Sequence, residues 1–117
     1  MQPEEFVVVS SELGDVVVSS EAVAQIVRYA ATESYGVVAL AGRGRWSRFL
    51  PWGSRDAVTV ARREDGLDIQ LRLVVEHGLR LTEVAATVRS RVLYEIDRMV
   101  GIPVADLEVH IERVRSR

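Results

Sequence analysis

The sequence contains no cysteine, no lysine and no asparagine, and its apolar residues never form a long uninterrupted run. Without cysteine the chain has no disulfide framework, no thiolate nucleophile and no cysteine-based metal site. The longest apolar runs have about five residues, whereas a helix that crosses a membrane needs roughly 20. We therefore expect any association with a membrane to be peripheral or to depend on a protein partner.

The N-terminal residues and the missing thiols both favour a cytoplasmic protein. The first residues, MQPEEF, are acidic and lack the positive region and the cleavage site of a signal peptide. With 117 residues and 48% hydrophobic content, the composition is that of an ordinary globular protein. We expect a single domain that spans residues 1–117.

Positive charge is concentrated in one segment. All 15 basic residues are arginine, and the formal net charge is −2. Residues 42–56, GRGRWSRFLPWGSRD, contain both tryptophans, four arginines and one aspartate, so the segment carries +3 and the rest of the chain −5. A domain with this balance is a poor candidate for binding nucleic acid over its whole surface. Only this segment is expected to attract polyanions.

Hydrophobic periodicity predicts an α+β fold of order β-β-α-β-β-β-α-β, with a β-α-β-β-α-β core. Apolar and polar residues alternate in the strands and recur every three or four positions in the helices. Each helix has one apolar stripe, so we expect a mixed β-sheet with two helices packed on one face and solvent or a partner on the other. The strands are predicted at 5–10, 15–19 and 37–41, on both sides of Asp65–Gly66 within 56–78, and at 105–114, and the helices at 20–36 and 81–101.

Particular residues are predicted to cap the helices and to form the core. Ser20 and Thr82 are expected to cap the N-termini of the two helices, and Gly36 to end the first one. The second helix and the strand before it are each expected to turn one row of side chains inward. These rows are Val84, Val88, Val92, Ile96 and Met99 of the helix, and Leu67, Ile69, Leu71, Leu73 and Val75 of the strand.

Groups suited to catalysis or metal binding are few. The two histidines are His77 and His110. Glu108, His110 and Glu112 share one face of the last strand and offer oxygen and nitrogen ligands to a metal, but a solvated strand face with charge pairs is the preferred interpretation. No nucleophile motif, phosphate-binding loop or zinc-binding helix motif is present. We therefore predict a non-enzymatic protein with no metal and no cofactor.

The segment 42–56 is the predicted partner-binding site. Trp46, Phe49 and Leu50 have the i, i+3, i+4 spacing that one helical turn places side by side, and tryptophan and arginine are common at interface hot spots. Four interpretations stay open: a lid over the core, a surface for a partner or for self-assembly, a peripheral membrane contact, and a small nucleic-acid-binding module. RNA-binding modules of similar element order carry a G-x-x-G loop or base-stacking aromatics in their strands, and this sequence has neither. The candidate partner-binding residues are Arg45, Trp46, Arg48, Phe49 and Trp52.

The motifs together resemble the bacterial alkaline shock protein family, also called the envelope stress response family. The resemblance is carried by LGDVVVSSEAVAQIVRYAATESYGVVAL at 13–40 and by residues 58–111, with the hairpin end VVEHG and the helix start EVA. It implies a non-enzymatic, cytosolic protein that is linked to cell-envelope stress and self-associates. Some members are held at the inner face of the membrane by a separate anchor protein. The partners implied are a second copy, giving a homo-oligomer, and a protein such as a membrane anchor.

Overall fold

The computed structural model describes residues 5–42 and 57–116, which form six strands and two helices. The predicted order β-β-α-β-β-β-α-β is confirmed, and the fold is α+β. The elements are β1 (Glu5–Ser11), β2 (Gly14–Ser19), α1 (Ser20–Thr32), β3 (Val37–Leu40), β4 (Val58–Arg63), β5 (Gly66–Glu76), α2 (Leu81–Met99) and β6 (Val104–Arg115).

The long strand β5 organises the main sheet. One edge of β5 pairs with the parallel strand β6 from Leu67 to Glu76. The other edge pairs antiparallel with β4 along its first half and with β3 along its second half. The sheet is therefore mixed, as predicted, and β5 is its only central strand among the residues described.

Strands β3 and β4 occupy consecutive positions on the same edge of β5. Leu40 pairs with Leu73 and Val58 pairs with Leu71. Between these pairs, the backbone N–H of Ala41 donates a hydrogen bond to the carbonyl of Arg72, at 2.9 Å. The two strands thus behave as one edge strand, because their pairings with β5 are separated by a single residue, Arg72.

Both helices cover the same face of this sheet. Helix α1 contacts β3 and β4, helix α2 contacts β6, and the two helices contact each other. The side chains of β5 that alternate toward the helices are fully buried, and each contributes about 1.5–3 kcal/mol through its removal from water. They are the predicted Leu67, Ile69, Leu71, Leu73 and Val75, packed against Val84, Val88, Val92 and Ile96 of α2.

Four details differ from the sequence prediction. Ser19 rather than Ser20 caps α1, because its hydroxyl accepts the N–H of Ala22 at 3.1 Å. Helix α1 ends at Thr32, four residues before Gly36. Helix α2 begins at Leu81 without a side-chain cap, so Thr82 lies inside its first turn. Met99, predicted in the core, is 57% exposed at the end of α2.

Strands β1 and β2 form a separate two-stranded sheet before α1. Phe6 pairs with Val18 at the base of this hairpin, and Phe6 is completely buried in the core cluster. The Arg62 guanidinium lies over the Phe6 ring at 5.8 Å from its centroid, within the range of a cation–π contact. The hairpin is therefore anchored at its base.

Candidate interaction surfaces

The predicted partner-binding residues Arg45, Trp46, Arg48, Phe49 and Trp52 lie outside the described residues. The structure does describe the two ends of their segment. Ala41 and Ala57 are both buried, and the positions beside them pair with neighbouring residues of β5. The segment is thus attached at one place on the sheet edge, and its role as a binding site stays a prediction.

The carboxylate–imidazole set on β6 does not form a single cluster. His110 Nε2 lies 3.2 Å from the Glu108 carboxylate, whereas the Glu112 carboxylate accepts a hydrogen bond from Arg72 Nε at 3.0 Å. Because Arg72 engages Glu112, the three side chains do not converge on one point. Within residues 5–42 and 57–116, no group of three or more histidine, aspartate or glutamate side chains is placed to hold a metal ion.

A groove between the two helices is a feature that the sequence did not predict. Its volume is about 540 Å³, within the size range of surface sites that accept ligand groups. Tyr29 on one wall and Met99 on the other are both more than half exposed. The residues that line it are Ala22, Gln25, Ile26 and Tyr29 of α1, and Glu95, Arg98 and Met99 of α2.

A buried carboxylate forms part of the groove wall. Glu95 is only 6% exposed, and it accepts a hydrogen bond from Arg98 at 2.8 Å, with Arg91 Nε at 3.5 Å. The hydrogen bond from Arg98 lowers the pKa of Glu95 below its usual value, and the charges of Arg98 and Arg91 add to this effect. Two guanidinium groups share one carboxylate, so this cluster carries a net charge of +1. The i, i+4 and i, i+3 spacings were the available sequence signal.

The β1–β2 hairpin exposes apolar side chains on both of its faces. Val9 pairs with Val16, beyond the pair formed by the buried Phe6 and the partly buried Val18, and Val7 pairs with Val17 on the opposite face. All four valines are about half exposed, and Leu13 in the turn is 100% exposed. Water therefore contacts about half of each of these four valines and the whole of Leu13.

The turn of the hairpin is held by local hydrogen bonds. The Ser10 hydroxyl donates to the Asp15 carboxylate at 2.7 Å, and the Ser11 hydroxyl donates to the carbonyl of Gly14 at 3.2 Å. The backbone N–H of Leu13 in turn donates to Ser11 Oγ at 3.3 Å. These contacts fix the backbone that carries the exposed leucine.

None of the helices described has both the length and the apolar character needed to cross a membrane.

These features define a small α+β protein whose described part presents exposed apolar surfaces on a hairpin and in a helix–helix groove. The chain belongs to the alkaline shock protein 23 family, a family with cell envelope-related function, whose model matches residues 8–116. The resemblance noted in the sequence is thereby confirmed.

The chain is similar to several curated bacterial proteins along most of their length. The uncharacterized protein YloU of Bacillus subtilis is 24% identical over 110 residues, covering 90% of this chain and 92% of the relative. The uncharacterized protein YqhY of the same organism is 28% identical over 104 residues, covering 86% and 77%. The uncharacterized protein Spy1614 of Streptococcus pyogenes is 21% identical over 112 residues, covering 92% and 93%. No solved structure matches.

Proposed function

We propose that this protein is a non-enzymatic interaction or scaffold protein of the bacterial envelope stress response. It acts through protein–protein contacts, including self-association, in the cytoplasm near the inner face of the membrane. It reaches the membrane through a protein partner such as a membrane anchor. The membership of a family with cell envelope-related function supports the cellular setting.

The exposed hairpin is the observation that carries this proposal. A two-stranded hairpin is marginally stable in water by itself, and contiguous exposed apolar surface marks interaction sites on soluble proteins. Here the turn and both faces of one hairpin expose large apolar side chains to solvent: Leu13 in the turn, Val9 and Val16 on one face, and Val7 and Val17 on the other. A surface of this kind gains free energy when another protein covers it.

Vesicle binding separates a protein partner from direct lipid contact. The purified chain would be mixed with inverted inner-membrane vesicles from cells that make it, with the same vesicles after protease treatment, and with protein-free liposomes of matching lipids. We expect co-sedimentation with the untreated vesicles alone. Equal binding to all three would contradict a protein anchor, and binding to none would contradict membrane association.

The segment 42–56 is proposed as a further contact of the same kind. We expect Trp46→Ala to weaken vesicle binding, because tryptophan side chains often dominate interface energies. Tyr35→Ser, which also removes an exposed aromatic ring, is the control and should bind like the unmodified chain. If the chain instead binds single-stranded RNA in a salt-dependent way that Arg45→Ala with Arg48→Ala abolishes, the nucleic-acid-binding alternative would be favoured.

A further inference from the structure

We propose that the tip of the β1–β2 hairpin, led by Leu13, docks into the α1–α2 groove of a second copy of this chain. This inference rests on the self-association in the proposed function and names the two surfaces that make it. Leu13 supplies the apolar knob, and the walls of the groove supply the site.

The knob is unusually accessible. Leu13 is 100% exposed, so it contacts no groove within its own molecule. Its turn is held by the hydrogen bonds from Ser10 and Ser11, so little conformational freedom is lost when the turn docks. The half-exposed Val9–Val16 pair lies behind the turn and extends the apolar surface toward the body of the molecule.

The groove matches an apolar side chain in size and chemistry. Its volume of about 540 Å³ leaves room for the turn as well as for the leucine side chain. The small side chain of Ala22 leaves space on the α1 side of the groove, while Ile26, Tyr29 and Met99 line it with apolar surface. Burial of an apolar side chain against such a surface is favourable in proportion to the area removed from water.

The charges of the two surfaces are complementary. Glu12 and Asp15 flank Leu13 and Gly14 in the sequence, so the turn is acidic and contains no basic residue. Arg98 lines the groove and Arg91 lies beside it, and the two share the single carboxylate of Glu95, which leaves one positive charge next to the groove. Opposite charges around an apolar contact set its orientation and disfavour wrong partners. This match is what selects a second copy as the occupant.

The contact joins two different surfaces, so it is heterologous. Each molecule carries one hairpin tip and one groove, and a molecule that gives its tip to a neighbour still has a vacant groove. Such a contact can repeat from copy to copy, whereas an isologous contact stops at a dimer. The geometry therefore predicts assembly that continues with concentration.

Two single variants and their mixture test this arrangement by sedimentation velocity of the full chain over a concentration series. Leu13→Asp destroys the tip and keeps the groove, while Ala22→Arg fills the groove and keeps the tip. We expect each variant to weaken self-association at least about tenfold, because each removes the apolar contact. An equimolar mixture should form a heterodimer that grows no further, since only one intact tip and one intact groove can meet.

Controls separate loss of docking from loss of folding. Tyr29→Ser, in the same groove wall and exposed, should weaken association like Ala22→Arg. Tyr35→Ser, which removes a more exposed aromatic ring outside the groove, should leave association unchanged. Circular dichroism melts should show that all variants fold as the unmodified chain does.

Three outcomes would overturn the inference. If the unmodified chain stays monomeric at every concentration, no such docking occurs. If Leu13→Asp abolishes association while Ala22→Arg and Tyr29→Ser do not, hairpins pair with hairpins instead. If association persists in all variants, other surfaces make it. In this last case the proposed self-association stands and only the assigned surfaces fail, and the vesicle experiment tests the membrane partner independently.

Discussion

Strand β5 and the β1–β2 hairpin are both rich in branched apolar residues, yet they differ in what covers them. In β5, the side chains that face the helices are fully buried. In the hairpin, Val7, Val9, Val16 and Val17 are each about half exposed. The two regions show that residue type alone does not create a core. Neighbouring elements must cover the strand, and two helices cover β5 whereas only the base of the hairpin is covered.

Two truncations to alanine, one in β5 and one in the hairpin, compare the two regions directly. Leu71→Ala removes a fully buried side chain of β5, and we expect the free energy of unfolding to fall by about 2–5 kcal/mol because a cavity remains. Val16→Ala in the hairpin, where the side chain is 55% exposed, should cost less than about 1 kcal/mol. Urea denaturation at low protein concentration measures both. Equal losses would contradict the distinction between the two regions.

A second pair compares two glycines with positive φ. A Cβ at Gly66 would lie 2.4 Å from the carbonyl oxygen of Pro103, whereas a Cβ at Gly78 would meet nothing within 4 Å. We expect Gly78→Ala to cost about 1–2 kcal/mol from its backbone conformation alone. Gly66→Ala should cost about 3 kcal/mol or more, since backbone must also move. Thermal melts that rank the two variants in the opposite order would show that Gly66 does not pack closely against Pro103.

The ion pair between Glu95 and Arg98, in which only the carboxylate is buried, makes a pH-dependent contribution to stability. The pKa of Glu95 is lowered in the folded protein, first by the hydrogen bond from Arg98. Its stabilising effect is therefore fully present above the unfolded-state pKa, near 4.5, and is lost as the pH falls through the lower folded-state pKa. We expect Glu95→Gln to be less stable than the unmodified chain at pH 7.

The measurement is urea denaturation of both proteins from pH 7 down to the acid limit. The difference in unfolding free energy between them should shrink below about pH 4.5, the ordinary pKa. A difference that stays constant over the whole pH range would mean that the charge of Glu95 does not cause it.

The smallest effect is expected at Met99. Sequence periodicity placed this residue in the core, where truncation to alanine would cost about 2–5 kcal/mol. Because Met99 is 57% exposed at the end of α2, we expect Met99→Ala to cost less than about 1 kcal/mol. A large loss of stability in urea denaturation would mean that Met99 is buried in the core, as the sequence periodicity predicts.

Local patterns predicted the elements and the inward-facing rows well. The alternation in β5 and the stripe of α2 identified their buried side chains, because burial on one face imposes a period that the sequence records. The end of α1 at Thr32 lies four residues before the predicted end at Gly36. The cap of α1 is Ser19 instead of Ser20, because both serines suit a cap in the sequence and only the geometry distinguishes them.

Contacts between distant parts of the chain were not predictable in the same way. Nothing in the sequence near residues 40 and 58 shows that β3 and β4 share one edge of β5, because that depends on pairing with residues 71–73. The groove likewise needs the ends of two helices that are far apart in the chain. The predicted site at Arg45, Trp46, Arg48, Phe49 and Trp52 lies outside the described residues and stays a prediction.

Amide hydrogen exchange followed at increasing protein concentration tests whether the hairpin is an interaction surface, because it measures the protection of the hairpin and of β5 in one experiment. We expect amides of residues 5–19 and of the groove helices to become more protected as the concentration rises, while those of β5 do not change. Exchange in the hairpin that is independent of concentration and of added membrane vesicles would contradict a protein that works through this surface.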